Sequence, residues 1–252
     1  MVSWSSRRQI AYIGGVLGVV IFLIALPTFF VVYEAPSCTD GVKNQDELGV
    51  DCGGPCSVLC KAEALDLITR WQRVFKVKEG IYNVLAYVEN PNLESGVENI
   101  SYRFKVYDAE NLLLYERTGK TFVPPRKVFA IFETNINTGT RVPARALFEF
   151  LGSPSWSKNF SSEPSLVITN KVLSKEEGLP RLTASLENRT DDRIDNVEVV
   201  AILYNSVENA IASSRTIVDS VNKGGSASLV FTWPEAFSEE ATRIELIYRV
   251  MR

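Results

Sequence analysis

The longest unbroken apolar stretch lies near the start of the chain. From Ile10 to Tyr33, IAYIGGVLGVVIFLIALPTFFVVY, no residue is charged. As a helix rising 1.5 Å per residue, such a stretch spans roughly 35 Å, against about 30 Å of hydrocarbon in a bilayer. A helix also satisfies its own backbone in lipid. Trp4, Tyr12 and Tyr33 fall where interfacial aromatics belong. Pro27 predicts a kink or the end of the regular helix. The alternative is a cleaved signal peptide, whose apolar core runs about 7–15 residues before a small-x-small site. This core is much longer, and Ala35 precedes Pro36. The expectation is therefore a retained span at 10–33 behind a short tail at 1–9. Lipid attachment at Cys38 is discounted, because Ala35-Pro36-Ser37 is a poor lipobox.

Beyond residue 64 the pattern changes to period two. Ile100, Tyr102, Phe104 and Val106 alternate with Ser101, Arg103 and Lys105, as in a half-buried strand. Val84, Ala86 and Val88 do the same up to the turn Glu89-Asn90-Pro91-Asn92, and Val128, Ala130 and Phe132, then Ala144, Ala146, Phe148 and Phe150, continue it. The second half repeats the plan with Leu182, Ala184 and Leu186; Val197, Val199, Ala201 and Leu203; Ala227, Leu229, Phe231 and Trp233; and Ile244, Leu246, Tyr248 and Val250. Glu89-Asn90 matches Glu187-Asn188 at an offset of 98, Tyr107 matches Tyr204 at 97, and Phe132 matches Phe231 at 99. A period near 100 fits tandem domains and is too long for a solenoid. The expected fold class is mainly β: two tandem sandwiches, at 62–150 and 165–252, after one transmembrane helix and a small cysteine-rich segment. LGSPSWSKNFSSEP, residues 151–164, reads as a linker with some freedom unless Trp156 and Phe160 dock. Residues 62–75 predict a short helical or irregular entry and then a strand.

The four cysteines, Cys38, Cys52, Cys56 and Cys60, all fall in the segment 34–61, which is rich in Gly, Asp and Asn and poor in apolar residues. Such a segment needs a staple. Two disulfides are expected, in any of three pairings. Four-thiolate zinc competes, but spacings of 13, 3 and 3 between cysteines fit zinc knuckles poorly. Asp40, Asn44, Glu47 and Asp51 offer hard oxygens, so calcium is the one metal candidate, set against plain turn formation. The chain has no histidine, which excludes a Ser-His-Asp triad, a Cys-His pair and imidazole metal ligands. A net charge of −3 offers no basic stripe for nucleic acid. Arg7 and Arg8 precede the span, and only Lys43 is basic in the next twenty residues. That bias predicts a cytoplasmic N-terminus and an extracytoplasmic 34–252. Gly14 and Gly18 form a GxxxG pair that offers a helix-packing face and a route to homo-oligomers, although glycine is common in membrane helices.

The segment CTDGVKNQDELGVDCGGPCSVLC carries Cys38, Asp40, Gly41, Asn44, Glu47, Gly49, Asp51, Cys52, Gly53, Gly54, Cys56 and Cys60. It resembles a short module, C-x-DG-x-x-N-x-x-E-x-G-x-DCGG-x-C, of secreted and surface proteins of bacteria and archaea. The resemblance implies an extracytoplasmic setting and a prokaryotic source, with no enzymatic activity. Phe104-Lys105-Val106-Tyr107-Asp108, after the Asn90-Pro91-Asn92 turn, resembles the F-x-[LV]-Y-D signature of FxLYD-type domains, and CARDB-type modules are similar. That resemblance implies immunoglobulin-like or fibronectin III-like envelope sandwiches. In the second copy the signature is reduced to Ala201-Ile202-Leu203-Tyr204-Asn205.

Tyr107 and Tyr204 read as buried tyrosines tying strand ends, and Asn90 and Asn188 as turn residues. The acid pairs Glu176-Glu177, Asp191-Asp192 and Glu239-Glu240 read as solvated turns, so neither a catalytic nor a cofactor-binding residue is assigned. Sequons occur at Asn99, Asn159 and Asn188. The expected role is non-enzymatic: a membrane-anchored envelope protein binding another envelope protein, a glycan or its own copy. The alternative is an accessory subunit of an envelope machine whose membrane helix is itself an interface.

Overall fold

A computed structural model describes residues 4–32, 37–44, 46–160 and 163–251. The chain divides into two compact units, Met1–Cys56 and Ser57–Arg252.

The first unit contains the helix α1 (Trp4–Val32). Its stretch Arg8–Phe29 is long and apolar enough to cross a membrane, and none of it is buried. Pro27 does not end α1, which runs on to Val32. A proline removes one amide donor from the preceding turn. The carbonyl that loses its donor is that of Leu23, four residues back; the Thr28 hydroxyl donates to the next one, that of Ile24. Tyr33 lies outside the described residues.

The second unit is mainly β. After a 3-10 turn at Lys61–Glu63 come β1 (Ile68–Lys78), β2 (Ile81–Asn90), β3 (Gly96–Tyr107), β4 (Leu113–Val123), β5 (Lys127–Asn137), β6 (Arg145–Leu151) and β7 (Trp156–Ser157). Then follow β8 (Leu166–Glu176), β9 (Leu179–Asn188), β10 (Ile194–Tyr204), β11 (Ala210–Val221), β12 (Ser226–Thr232) and β13 (Arg243–Val250). The sheets run β1-β2-β5, β4-β3-β6 with β7 also on β3, β8-β9-β12, and β11-β10-β13. The first two follow the same strand order as the last two.

Three apolar clusters hold these sheets. Val84, Ala86, Phe104, Val106, Phe129 and Ile131 fill the space between β1-β2-β5 and β4-β3-β6. Leu182, Leu186, Val199, Leu203, Leu229 and Phe231 do so between β8-β9-β12 and β11-β10-β13. The third cluster joins the two halves: Phe75, Leu85, Ala130 and Phe132 meet Val200, Ile202, Tyr204 and Ile247. Two sheets are therefore apolar on both faces. That accounts for the unbroken runs Val84-Leu85-Ala86-Tyr87-Val88 and Val199-Val200-Ala201-Ile202-Leu203, which depart from alternation. β3 and β9 alternate cleanly, because their outer faces meet water.

Polar groups flank the third cluster. Glu198 and Arg249, both almost fully buried, pair at 2.8 Å. Arg249 also donates to Thr121 Oγ1 at 2.9 Å and lies over the Phe122 and Phe129 rings. Arg215 reaches Glu198 at 3.1 Å. Removing either member of a buried pair strands the other charge, at roughly 3–5 kcal/mol; this pair joins β10 to β13 within the second half, and the Arg249 bond to Thr121 is what reaches the first. Toward the other end of β10, the Tyr87 and Tyr204 hydroxyls donate to the two oxygens of Glu245, at 2.7 and 2.9 Å. Burial first, and then that carboxylate, pushes both phenol pKa values upward.

The linker is docked. Trp156 and Phe160 are both buried, Trp156 in the first cluster and Phe160 6.3 Å from Phe122. Its end is stitched by Lys127 to Glu163 and by the Tyr248 hydroxyl to the Pro164 carbonyl. The two matched tyrosines differ. Tyr204 lies in the third cluster, whereas Tyr107 is half-buried beneath the Arg145 guanidinium, because only β10 meets the opposite half on that face.

Leu85 is fully buried between the halves. Leu85→Ala is expected to lower stability by roughly 2–5 kcal/mol. Calorimetry of the chain in detergent should show one transition moving as a whole. Two separated transitions, of which only one moves, would mean that the halves unfold independently.

Candidate functional site

The signature residues turn out to clamp turns. The Asp108 Oδ1 accepts the amides of Glu110 (3.1 Å) and Leu112 (2.8 Å), and its Oδ2 pairs with Arg141 at 2.7 Å. Asn205, its counterpart, accepts the amides of Val207 and Asn209 in the same way and donates to Glu239 at 2.6 Å. Asn90 and Asn188 are buried and reach farther than their own turns. Asn90 donates to the Ser95 and Pro124 carbonyls, and Asn188 to those of Asp192 and Val221. Each ties the end of one strand to the far end of another. The Asn188 amide is thus committed inside the protein, while Asn99 and Asn159 are exposed; Ser161, of the Asn159 sequon, lies outside the described residues.

In the cysteine segment, Cys38 is bonded to Cys56, Cys52 and Cys60 are also disulfide-bonded, and no described cysteine is free. The carboxylates address amides. Asp40 accepts from the amides of Ser37 (2.8 Å) and Val42 (2.9 Å) and from Asn44 Nδ2 (2.8 Å), and these bonds, that from Ser37 first, hold its pKa below the ordinary carboxylate value. Asp51 accepts the Gly41 amide. The buried Glu47 accepts the amides of Asn44 and Asp51. Gly54 is required here. Its φ is +54°, and a Cβ would stand 2.3 Å from the Asp46 carbonyl oxygen. Among the described residues, the one group of three His, Cys, Asp or Glu ligand atoms within 4.8 Å is Cys38, Glu47 and Cys56. Its two sulfurs are bonded to each other, so neither is a thiolate ligand. Asp40, Glu47 and Asp51 brace turns through these amides, and Asn44 donates to Asp40.

On α1, a Cβ at Gly14, Gly15 or Gly18 would meet nothing within 4 Å. Of the acid pairs, Glu176 ends β8 and pairs with Arg181, and Asp191, in the bend after β9, pairs with Lys223.

The sequence pattern did not announce one concavity in the second half. A cavity of about 660 Å³ opens between β8 and the start of β13, lined by Leu173, Pro180, Phe237, Ala241 and Ile244, with Lys175, Glu239 and Glu240 at its rim. Phe237 is held by an edge-on contact with Trp233. In the first half, the gap between β1 and β6 is smaller, about 380 Å³, and carries Arg73, Lys76 and Arg145. These lining residues are distant in sequence, and no local motif marks them. The interface residues did leave a signal: Glu198 is a lone acid inside the otherwise apolar run Val197–Leu203.

No known protein family and no curated protein matches the chain in sequence. Among solved structures it is similar to a crystal structure of red sea bream transglutaminase, with 12% identity and a TM-score of 0.23, over 73% of this chain and 30% of that one. At that score the likeness carries no argument about function.

Burial opposes ionisation of Asp108, but the Leu112 amide and the Arg141 guanidinium outweigh it and hold the carboxyl below its ordinary range. A depressed folded pKa gives stability that is fully present above the unfolded value, about 3.9, and is lost as pH falls through the folded value. Asp108→Asn should therefore destabilise most above about pH 5, with the difference from wild type shrinking toward about pH 2. Urea unfolding across that range checks it; a difference independent of pH would contradict it.

Proposed function

We propose that the chain is a single-pass membrane protein of a prokaryotic envelope. Its N-terminus is cytoplasmic, and residues 34–252 lie on the outer side as a non-enzymatic binding module of two immunoglobulin-like sandwiches. One observation carries this reading: the apolar surface of α1 is uncovered from Arg8 to Phe29. An exposed apolar surface of that extent requires lipid or another covering. Arg7 and Arg8 on its N-terminal side favour the cytoplasm for that end. Oxidised cysteines just beyond the helix suit an oxidising compartment.

The repeated strand order supports the sandwich assignment, and the shared third cluster supports rigid presentation of the two domains as one body. The partner is an envelope protein or glycan, and Ser57–Arg252 is the part that meets it. Protease added to cells stripped of any outer barrier should digest residues beyond the helix, and maleimide should label the isolated protein only after reduction. A protected C-terminal portion, or thiols that react without reductant, would overturn the topology.

A further inference from the structure

β13 lies at the edge of its sheet and pairs only with β10, in an unbroken register from Arg243 opposite Tyr204 to Val250 opposite Val197. The Tyr248 carbonyl turns away from β10 to accept from Lys127 Nζ at 2.8 Å. Strand alternation then points the backbone groups of Leu246 and Ile244 outward as well. The edge is closed by Lys127 at its Tyr248 end and opens at its Ile244 end onto the cavity shared with β8.

Proteins guard free edges with bulges, lysines or inward charges. β8, across the cavity, has such guards: a register break between Thr169 and Val172, Asn170 at φ 53°, and Lys171 and Lys175. β6, which occupies the position of β13 in the first half, faces a smaller gap lined by three cations. β13 has no bulge and no lysine of its own; its charges Glu245 and Arg249 turn to Tyr87, Tyr204 and Glu198, and Lys127 covers only its Tyr248 end. The cavity beside Ile244 sets Leu173, Phe237 and Ile244 against Lys175, Glu239 and Glu240. An edge open at one end beside a partly apolar cavity suits strand addition, in which backbone pairing supplies affinity and alternate side chains supply specificity.

We propose that the outer edge of β13 and the cavity it shares with β8 accept an extended strand from a partner protein. The strand is apolar at alternate positions and has a basic residue beside Glu239 and Glu240. The open stretch from Ile244 to Leu246, short of the Tyr248 carbonyl that Lys127 takes, pairs with about three residues of such a strand, since a strand advances about 3.3 Å per residue. Two rim acids against the single Lys175 favour the basic flank. This deepens the binding reading above by naming its surface. It is read in detergent, so its failure is separable from failure of the membrane topology.

The test uses the full chain in detergent micelles and a panel of blocked, fluorescent heptapeptides. Val, Leu or Phe occupies alternate positions, with Thr between and Lys at one end. At least one peptide is expected to bind saturably in the micromolar range and to slow amide exchange at Ile244 and Leu246. N-methylation of its central backbone amides should weaken binding more than tenfold, and replacing the terminal Lys by Glu should weaken it at low salt. Absence of saturable binding across the panel overturns the proposal. So does an N-methylated peptide that binds as well as its parent, because contact would then not run through the backbone edge.

Discussion

Two sheets buried on both faces organise the second unit. β1-β2-β5 and β11-β10-β13 each give one face to their own half and the other to the opposite half. Apolar area removed from water is the dominant favourable term in folding, at about 25 cal/mol per Å². A second buried face on each sheet binds the halves more firmly than a tether can. The faces that meet are unlike: β1-β2-β5 on one side and β11-β10-β13, which corresponds to β4-β3-β6, on the other. The outer faces of β3 and β9 are polar, carrying Arg103 and Lys105 on one and Arg181 and Glu187 on the other.

Position within that stack is set by polar groups. Hydrophobic contact is non-directional, but Arg249 must find Glu198 and Thr121, and Tyr87 and Tyr204 must share Glu245. Each bond adds little net stability, yet each buried group left without its partner is costly. Asn90 and Asn188 do the same within each half, and Asp108 and Asn205 hold the turns after β3 and β10. The run Phe104–Asp108 thus has a plain physical content: Phe104 and Val106 face the core, and the short polar side chain of Asp108 closes the hairpin.

The first unit works differently. The segment around the cysteines has almost no core; disulfides and carboxylate-to-amide bonds hold it, and Gly54 admits the close approach of the Asp46 carbonyl. Asp40, Glu47 and Asp51 answer backbone donors and so hold the turns of this segment.

The sequence by itself determined what depends on local periodicity and covalent chemistry: an uncharged run that must be an exposed apolar helix, strands of period two, and a cysteine segment too polar to pack. It also carries, in the unbroken apolar run Val199–Leu203, the mark of a strand buried on both faces. Only the tertiary structure decided that the linker docks, that Tyr204 is buried while Tyr107 is not, and that Leu173, Phe237 and Ile244 share one cavity. The reason is that a strand's sequence records how many of its faces leave water but not what covers them. Which residues meet depends on the pairing of distant strands, and no local pattern encodes that.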